Sequence, residues 1–381
     1  MPDVVREVPP VGNIPVAQEY VKSFSMTLES FAGESSARSF QSVMDERNAC
    51  LPLVREGDLR PWSQTYGGDY YGALQVAAEY CGLRKVPLSF PGSWQHGTIP
   101  PWHRLRPEVV VYDAPRSTKC FVARKDEETF LREGGYQGVR AIGLPIIYTR
   151  PSGLSRIPNS VLVMPTHSLA SDVLMPSCER YVDEIAQIKS HFDLVAACIS
   201  AYCIARNLWV PQFAERGIPV VRGAGIADIN ALNRMRSLFE SFEYVTTDSY
   251  GSHVFYALYF GAKVSIWGTA TPVFRENILK DGGWAAYPET VEALFSEETI
   301  RNGEVYLSPL RVDPWKAAQD VELGREMLGH DNKLNPEQMR AVFGWTMLGN
   351  LRAAAIALAR RSPVWRAARN VTNRLAPKAA G

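Results

Sequence analysis

The 381-residue sequence lacks any apolar run long enough to cross a bilayer; its best stretch, Thr346 to Ala359, is interrupted by Arg352. The expectation is a chain that is soluble or lies on a membrane rather than through one. Met1 to Pro10 carries acids and prolines and no apolar segment, so no signal peptide is expected. None of the six cysteines (Cys50, Cys81, Cys120, Cys178, Cys198, Cys203) belongs to a Cys-x-x-Cys pair, and no histidine stands at zinc-ligand spacing from two of them. They read as reduced, mostly buried thiols of a cytosolic protein rather than a disulfide frame. No Asp-x-Asp pair occurs either, so a paired-carboxylate metal site is not expected and no cofactor is called for.

Acids are missing altogether after Glu337, while that segment holds eight cations from Arg340 to Lys378. The net charge of +1 therefore hides a body of 33 basic and 40 acidic side chains, net −7, joined to a tail of +8. An acidic body without a basic stripe of interleaved aromatics disfavours a nucleic-acid partner. The tail places Trp345, Leu348, Ala355, Ile356 and Ala359, then Trp365, Ala368, Val371 and Leu375, at helical spacing. Cations along such a helix suit an anionic membrane surface; packing of the helix back onto the N-terminal half is the alternative.

What is present is an α/β pattern. Strands are expected at 160–164, 192–199, 218–222, 244–247 and 263–267, alternating with helices at 178–191, 201–216, 228–241 and 252–260, the last ended by Gly261. That alternation implies a parallel sheet with right-handed crossovers. In the first half, helices are expected near 16–31, 36–48 and 70–81, and strands near 85–90, 108–112, 119–123 and 139–142. Further helices are expected at 289–295, 315–328 and 335–359. The expected organisation is an N-terminal αβ domain over 1–150, a Rossmann-like domain over 151–334 and a basic helical segment over 335–381, with a linker around 148–158 where Pro151, Gly153 and Pro158 cluster.

In open α/β sheets ligands sit beyond the carboxyl ends of the strands. Four segments follow expected strands, Pro91 to Thr98, Pro165 to Ser168, Gly223 to Asp228 and Asp248 to His253, and together they hold three of the six histidines and most of the strand-end glycines. Ser249, Gly251 and Ser252 directly before a helix suit a nest of N–H groups for a phosphate, with His253 adding a cation or donor; a plain N-cap by Ser252 is the alternative. Gly223 and Gly225 resemble part of a dinucleotide fingerprint, but its third position is Asp228, so NAD is not expected. Asp228 reads first as a helix N-cap and second as a catalytic carboxylate, as does Asp172 for the latter role. His96, followed by Gly97 and Thr98, is suited to take a proton from a hydroxyl; a histidine satisfied within its turn is the alternative. His167 is a second candidate for a ligand contact. Arg150 and Arg222 are candidate phosphate cations, or surface arginines.

Trp94-Gln-His96-Gly97-Thr98 and Thr246-Thr-Asp248-Ser249-Tyr250-Gly251-Ser252 resemble segments of the CDP-glycerol glycerophosphotransferases. The run from Tyr244 to Trp267, with Ser252-His253, Tyr256-Ala257-Leu258 and Gly261-Ala-Lys263-Val264, is more similar to bacterial surface-polysaccharide glycosyltransferases, including the β-Kdo transferases of lipopolysaccharide and capsule assembly. The resemblance covers 160–268 and one N-terminal loop. It implies a GT-B-like fold of two Rossmann-like domains facing a cleft. It also implies a cytoplasmic, metal-independent enzyme at the inner face of the membrane, a nucleotide-sugar donor held near Gly223 to Gly225 and Ser249 to His253, and a glycan or lipid-linked acceptor facing His96. The lysine that follows His-Gly-Thr in the glycerophosphotransferases is replaced by Ile99, Pro100 and Pro101, which puts alditol-phosphate transfer second.

Overall fold

The computed structural model describes residues 51–55, 66–90, 92–103, 105–167, 179–280, 284–352 and 355. The helices expected at 16–31 and 36–48, Asp172, and the tail beyond 355 lie outside the described residues. By internal packing the chain forms two compact units: residues 31–86 with 91–336, and a smaller one of 1–30, 87–90 and 337–381. Both β-sheets belong to the larger unit, so the boundary expected at 150 falls between two sheets of one unit.

The smaller sheet is parallel, in the order β1 (Gly92–Trp94), β2 (Lys119–Val122), β3 (Gly138–Ala141). Before it runs α1 (Ala73–Tyr80), and between its strands lie α2 (Pro107–Val110) and α3 (Lys125–Glu133). The strand expected at 108–112 is therefore a helical turn. Pro107 at its first position presets a helical φ, and Val110 and Val111 bury against Leu131 and Val139 from that turn. The strand expected at 85–90 is also absent. Its edge is interrupted by Pro87, and pairing starts at Gly92 instead. Ser89 and Phe90 belong to the smaller unit, where Ser89 donates to the Gly344 carbonyl at 2.6 Å and Phe90 packs edge-on against Phe343. Gly344, at φ +68°, also ends the helix Pro336–Phe343, so the long helix expected over 335–359 is broken there.

The larger sheet contains all five expected strands: β4 (Ile157–Val163), β5 (Leu194–Ile199), β6 (Val220–Arg222), β7 (Phe242–Thr247) and β8 (Lys263–Ile266). All neighbours are parallel and the order is β6-β5-β4-β7-β8. β5, flanked by β6 and β4, is buried at every position, as expected of an apolar strand covered on both faces. The crossover helices are α4 (Glu179–Gln187), α5 (Ala201–Ala205), α6 (Val210–Glu215), α7 (Ala231–Ser241) and α8 (Ser252–Tyr259). On α7 the stripe Leu232, Met235, Leu238 and Phe239 is buried, as its spacing predicts.

The single helix expected over 201–216 is two. Pro211 has no N–H to donate to an uninterrupted helix, so the chain restarts there, with Asn207 and Trp209 at positive φ between the pieces. After α8, Gly261 at φ +78° bonds back to the Leu258 carbonyl at 2.9 Å, and Ala262 to that of Ala257 at 3.0 Å. This is the paired closure of a Schellman turn. Among the described residues no helix is long and apolar enough to cross a membrane.

Candidate functional site

The strand order reverses between β4 and β7: from β4 the chain steps outward to β5 and β6, then returns to β7 and β8 on the other side. Right-handed crossovers put α4 and α6 on one face and α7 and α8 on the other, so the loops leaving β4 and β7 diverge and open a crevice. Those loops carry Thr166 and His167, and Asp248 to His253.

One carboxylate organises this edge. Asp248 is buried and accepts hydrogen bonds from Thr166 N–H at 2.7 Å, from Thr166 Oγ1 at 3.0 Å and from Thr271 N–H at 2.9 Å. It thereby joins the loops following β4, β7 and β8. Ser249 and Thr166 pair through their hydroxyls at 2.7 Å. Buried Trp209 donates its indole N–H to the Thr166 carbonyl at 3.0 Å, fixing the β4 loop from α6.

His253 lies half-buried with Nε2 3.0 Å from Thr247 Oγ1. Burial, aided by nearby His167, pushes its pKa down to about 3. It is therefore a neutral imidazole, and the cation expected beside a phosphate is not supplied by this ring. His167 itself is exposed at the end of the β4 loop.

Ser252 opens α8 and accepts from Thr98 N–H at 2.9 Å, with Thr98 Oγ1 at 3.3 Å. One turn on, Tyr256 donates to the His96 carbonyl at 2.5 Å. Residues four apart share a helix face, so one face of α8 holds the whole His96-Gly97-Thr98 loop. A Cβ at Gly97 would stand 3.0 Å from Ser252 Oγ, which keeps the two backbones close. Two loops that the sequence singled out separately, one from each sheet, are thus in direct contact.

His96 sits half-buried among tyrosines. Its ring stacks on Tyr112 at 5.1 Å between centroids and meets Tyr70 and Tyr71 at 5.3 Å each. Nδ1 is paired with the Tyr112 hydroxyl. Burial lowers the His96 pKa to about 4, so the ring is neutral near pH 7. The same burial raises the tyrosines, Tyr71 to about 12, so their hydroxyls remain protonated donors. Beyond this cluster, Tyr250 from the β7 loop pairs with Nε2 of His103 from the β1 loop, beside Trp102.

The remaining sequence candidates take other places. Asp228 is fully buried and ion-paired with Arg234; its Oδ1 accepts from Arg55 N–H and Asn230 N–H at 3.0 Å each. It is an Asx turn ahead of α7 rather than the helix cap, and its carboxylate is committed to a buried cation, which removes it as a catalytic carboxylate. Gly223 and Gly225 serve close packing: a Cβ at either would stand 3.0 Å from Cys198 Sγ or Ala201 Cβ respectively. Arg222 ends β6, half-buried and near Gly225. Arg150 is exposed and ion-paired with Glu79 at 3.0 Å. It precedes β4, whose seven residues at about 3.3 Å each set it roughly 20 Å from the carboxyl edge, out of reach of the crevice.

Sequence reasoning missed Asp248 as the shared acceptor, Trp209, and the tyrosines around His96. The positions of Tyr70, Tyr112 and Tyr256 relative to His96 depend on long-range folding and leave no local spacing to read. Among the described residues no three His, Cys, Asp or Glu side chains converge in a metal-holding group. Comparison with family models gives no match, and comparison with curated proteins gives none.

Proposed function

We propose that this chain is a GT-B-type glycosyltransferase that moves a sugar from a nucleotide-activated donor, CMP-linked or another nucleotide sugar, to a cell-surface glycan or lipid-linked acceptor. The observation that carries this reading is the junction at Ser252. It sets the N-terminus of α8 at the strand-order reversal against the His96 loop of the second sheet. The donor phosphate at the crevice would meet backbone N–H groups of the first turn of α8 and the hydroxyl of Ser249. Charge is neutralised there by dipoles rather than by His253.

In the reaction the acceptor oxygen bonds to the anomeric carbon as the bond from that carbon to the phosphate oxygen breaks. The nucleotide leaves with the electron pair. His96, neutral and held through Tyr112, accepts the hydrogen bond of the acceptor hydroxyl and orients it; with so low a pKa it takes the proton only late in the transfer. Stabilisation of the departing phosphate by preorganised N–H groups supplies most of the rate. No metal is assigned a role in this reading. Attachment to the inner face of the membrane through the basic tail would bring the enzyme to a lipid-linked acceptor.

The test is a thermal-shift series with CMP, CDP, UDP, GDP and dTDP, each with and without EDTA. A ligand that binds only the folded chain raises Tm. The reading requires a rise with at least one nucleotide that survives EDTA and is lost in Ser249→Ala combined with Ser252→Ala. CMP would name an acid-sugar donor, and CDP would favour alditol-phosphate transfer. No rise with any of them at millimolar concentration would overturn the reading and leave a non-catalytic scaffold.

A further inference from the structure

A second concave site lies at the other edge of the larger sheet. A cavity of about 630 Å³ opens where α7 and α8 end and β4 begins, at the amino ends of β4, β7 and β8. Four cations line it, Arg150, Arg236, Arg325 and Lys333, against one acid, Glu240. Its apolar walls include Tyr80, Tyr148 and Tyr259.

Three of these cations are matched. Arg150 pairs with Glu79 at 3.0 Å, Arg236 with Glu240 at 2.7 Å, and Arg325 with exposed Asp331 at 3.5 Å. Glu240 is further occupied by Ser152, which donates its N–H at 2.8 Å and its hydroxyl at 2.6 Å. Lys333 differs. Its ammonium donates to the Ile147 carbonyl at 2.8 Å and lies 5.4 Å from the ring centres of both Tyr80 and Tyr148. Among the described residues no carboxylate pairs with it. Half-buried, it shares the cavity with Arg236, a like charge that adds to the cost of burial and lowers its pKa. Charges taken out of water are ordinarily compensated by a partner of opposite sign. Among the described residues only the Ile147 carbonyl and the two tyrosine rings face this ammonium, which leaves its charge available to an anion in the cavity.

We propose that this cavity binds a small organic phosphate, its phosphate between Lys333, Arg236 and Arg325 and its ring against the tyrosine walls. Arginine forks and an ammonium suit the several oxygens of a phosphate, and the volume accommodates a sugar-phosphate-sized ligand. The site is distinct from the crevice at the carboxyl edge and independent of the proposed transfer reaction.

The probe is glucose 1-phosphate, titrated into the full chain by isothermal calorimetry and thermal shift, with glucose and with sodium chloride at matched ionic strength as controls. The expected result is saturable binding and a rise in Tm with glucose 1-phosphate alone. That binding should be retained in Ser252→Ala, and its affinity should fall on the order of tenfold in Lys333→Met, as loss of one charged hydrogen bond implies. Lys333→Met also removes the hydrogen bond to the Ile147 carbonyl and the contacts with the Tyr80 and Tyr148 rings, so its unliganded Tm is measured beside its affinity. Should it fail to fold, Arg325→Gln, nearer the surface, carries the same affinity test. Absence of binding to the parent, binding unchanged in both cavity variants, or binding lost in Ser252→Ala would each overturn the proposal.

Discussion

A Cβ added to Gly251 would stand 2.9 Å from Nδ1 of His253, so the imidazole folds back over the chain where only glycine leaves room. Gly251 is extended, at φ −175°, and needs no left-handed backbone. Its requirement is space. Gly251→Ala must therefore swing the His253 ring off Thr247 or shift the start of α8. The expected cost is about 1–3 kcal/mol, measured by urea unfolding. An unchanged midpoint would mean that the ring moves freely and that the crevice is not built around it.

Asp248→Asn tests the shared acceptor. An amide offers one acceptor oxygen where the carboxylate serves two N–H groups and a hydroxyl, and its NH2 would face the N–H of Thr166 or Thr271. One buried donor is left unmet, at a cost of about 1–3 kcal/mol, more where the original bond was to a charge. The expected outcome is a lower urea midpoint together with loss of any nucleotide-induced Tm rise.

Acid should destabilise the fold earlier than carboxylate titration alone would. Burial depresses His96 and His103 to about 4 and His253 to about 3, whereas the unfolded chain titrates them near 6.5. Each ring then binds a proton more readily unfolded than folded, so its contribution is intact above pH 6.5 and is lost as pH falls toward the folded value. The slope is at most about 1.4 kcal/mol per pH unit for each ring. Stability measured between pH 7.5 and 4.5 should fall with the uptake of up to three protons. His253→Gln should reduce that uptake by one, and an unchanged slope would contradict the neutral, buried ring.

Gly261→Ala addresses the stop of α8. At φ +78° an alanine is strained, with an expected loss of about 1–2 kcal/mol, readable in the thermal midpoint. Because α8 carries Ser252 and Tyr256, the same variant should weaken nucleotide binding only modestly if its strain is absorbed at the C-terminal end.

The larger sheet was legible because each of its elements announces itself locally. Apolar runs such as Leu194–Ile199, the stripe on Ala231–Ser241 and Gly261 after a helix are short-range signals, and all three appear as read. The smaller sheet was less so. Val109 to Val111 reads as a strand by its β-branching, yet Pro107 and the need to cover Leu131 make it a helical turn. The loops bearing the candidate site were also visible in the sequence, but the roles of their residues were only partly so. Asp228 looked like a cap or a catalyst because Arg55, which donates to it, is 173 residues away. His253 looked like a cation because burial cannot be read from a sequence position. Ser252 and Thr98 gave no sign of their contact, since it joins residues 154 apart from different sheets.

The carboxylate of Asp248 has a mechanical consequence. Since three loops hang from one buried charge, none can loosen without leaving that charge short of a donor in a poorly solvated place. The loops after β4, β7 and β8 therefore behave as one rigid jaw. The opposing segment from His96 to His103 is fastened to this edge through Ser252 and Tyr256 but does not share its anchor, so it can shift while Asp248 keeps its donors.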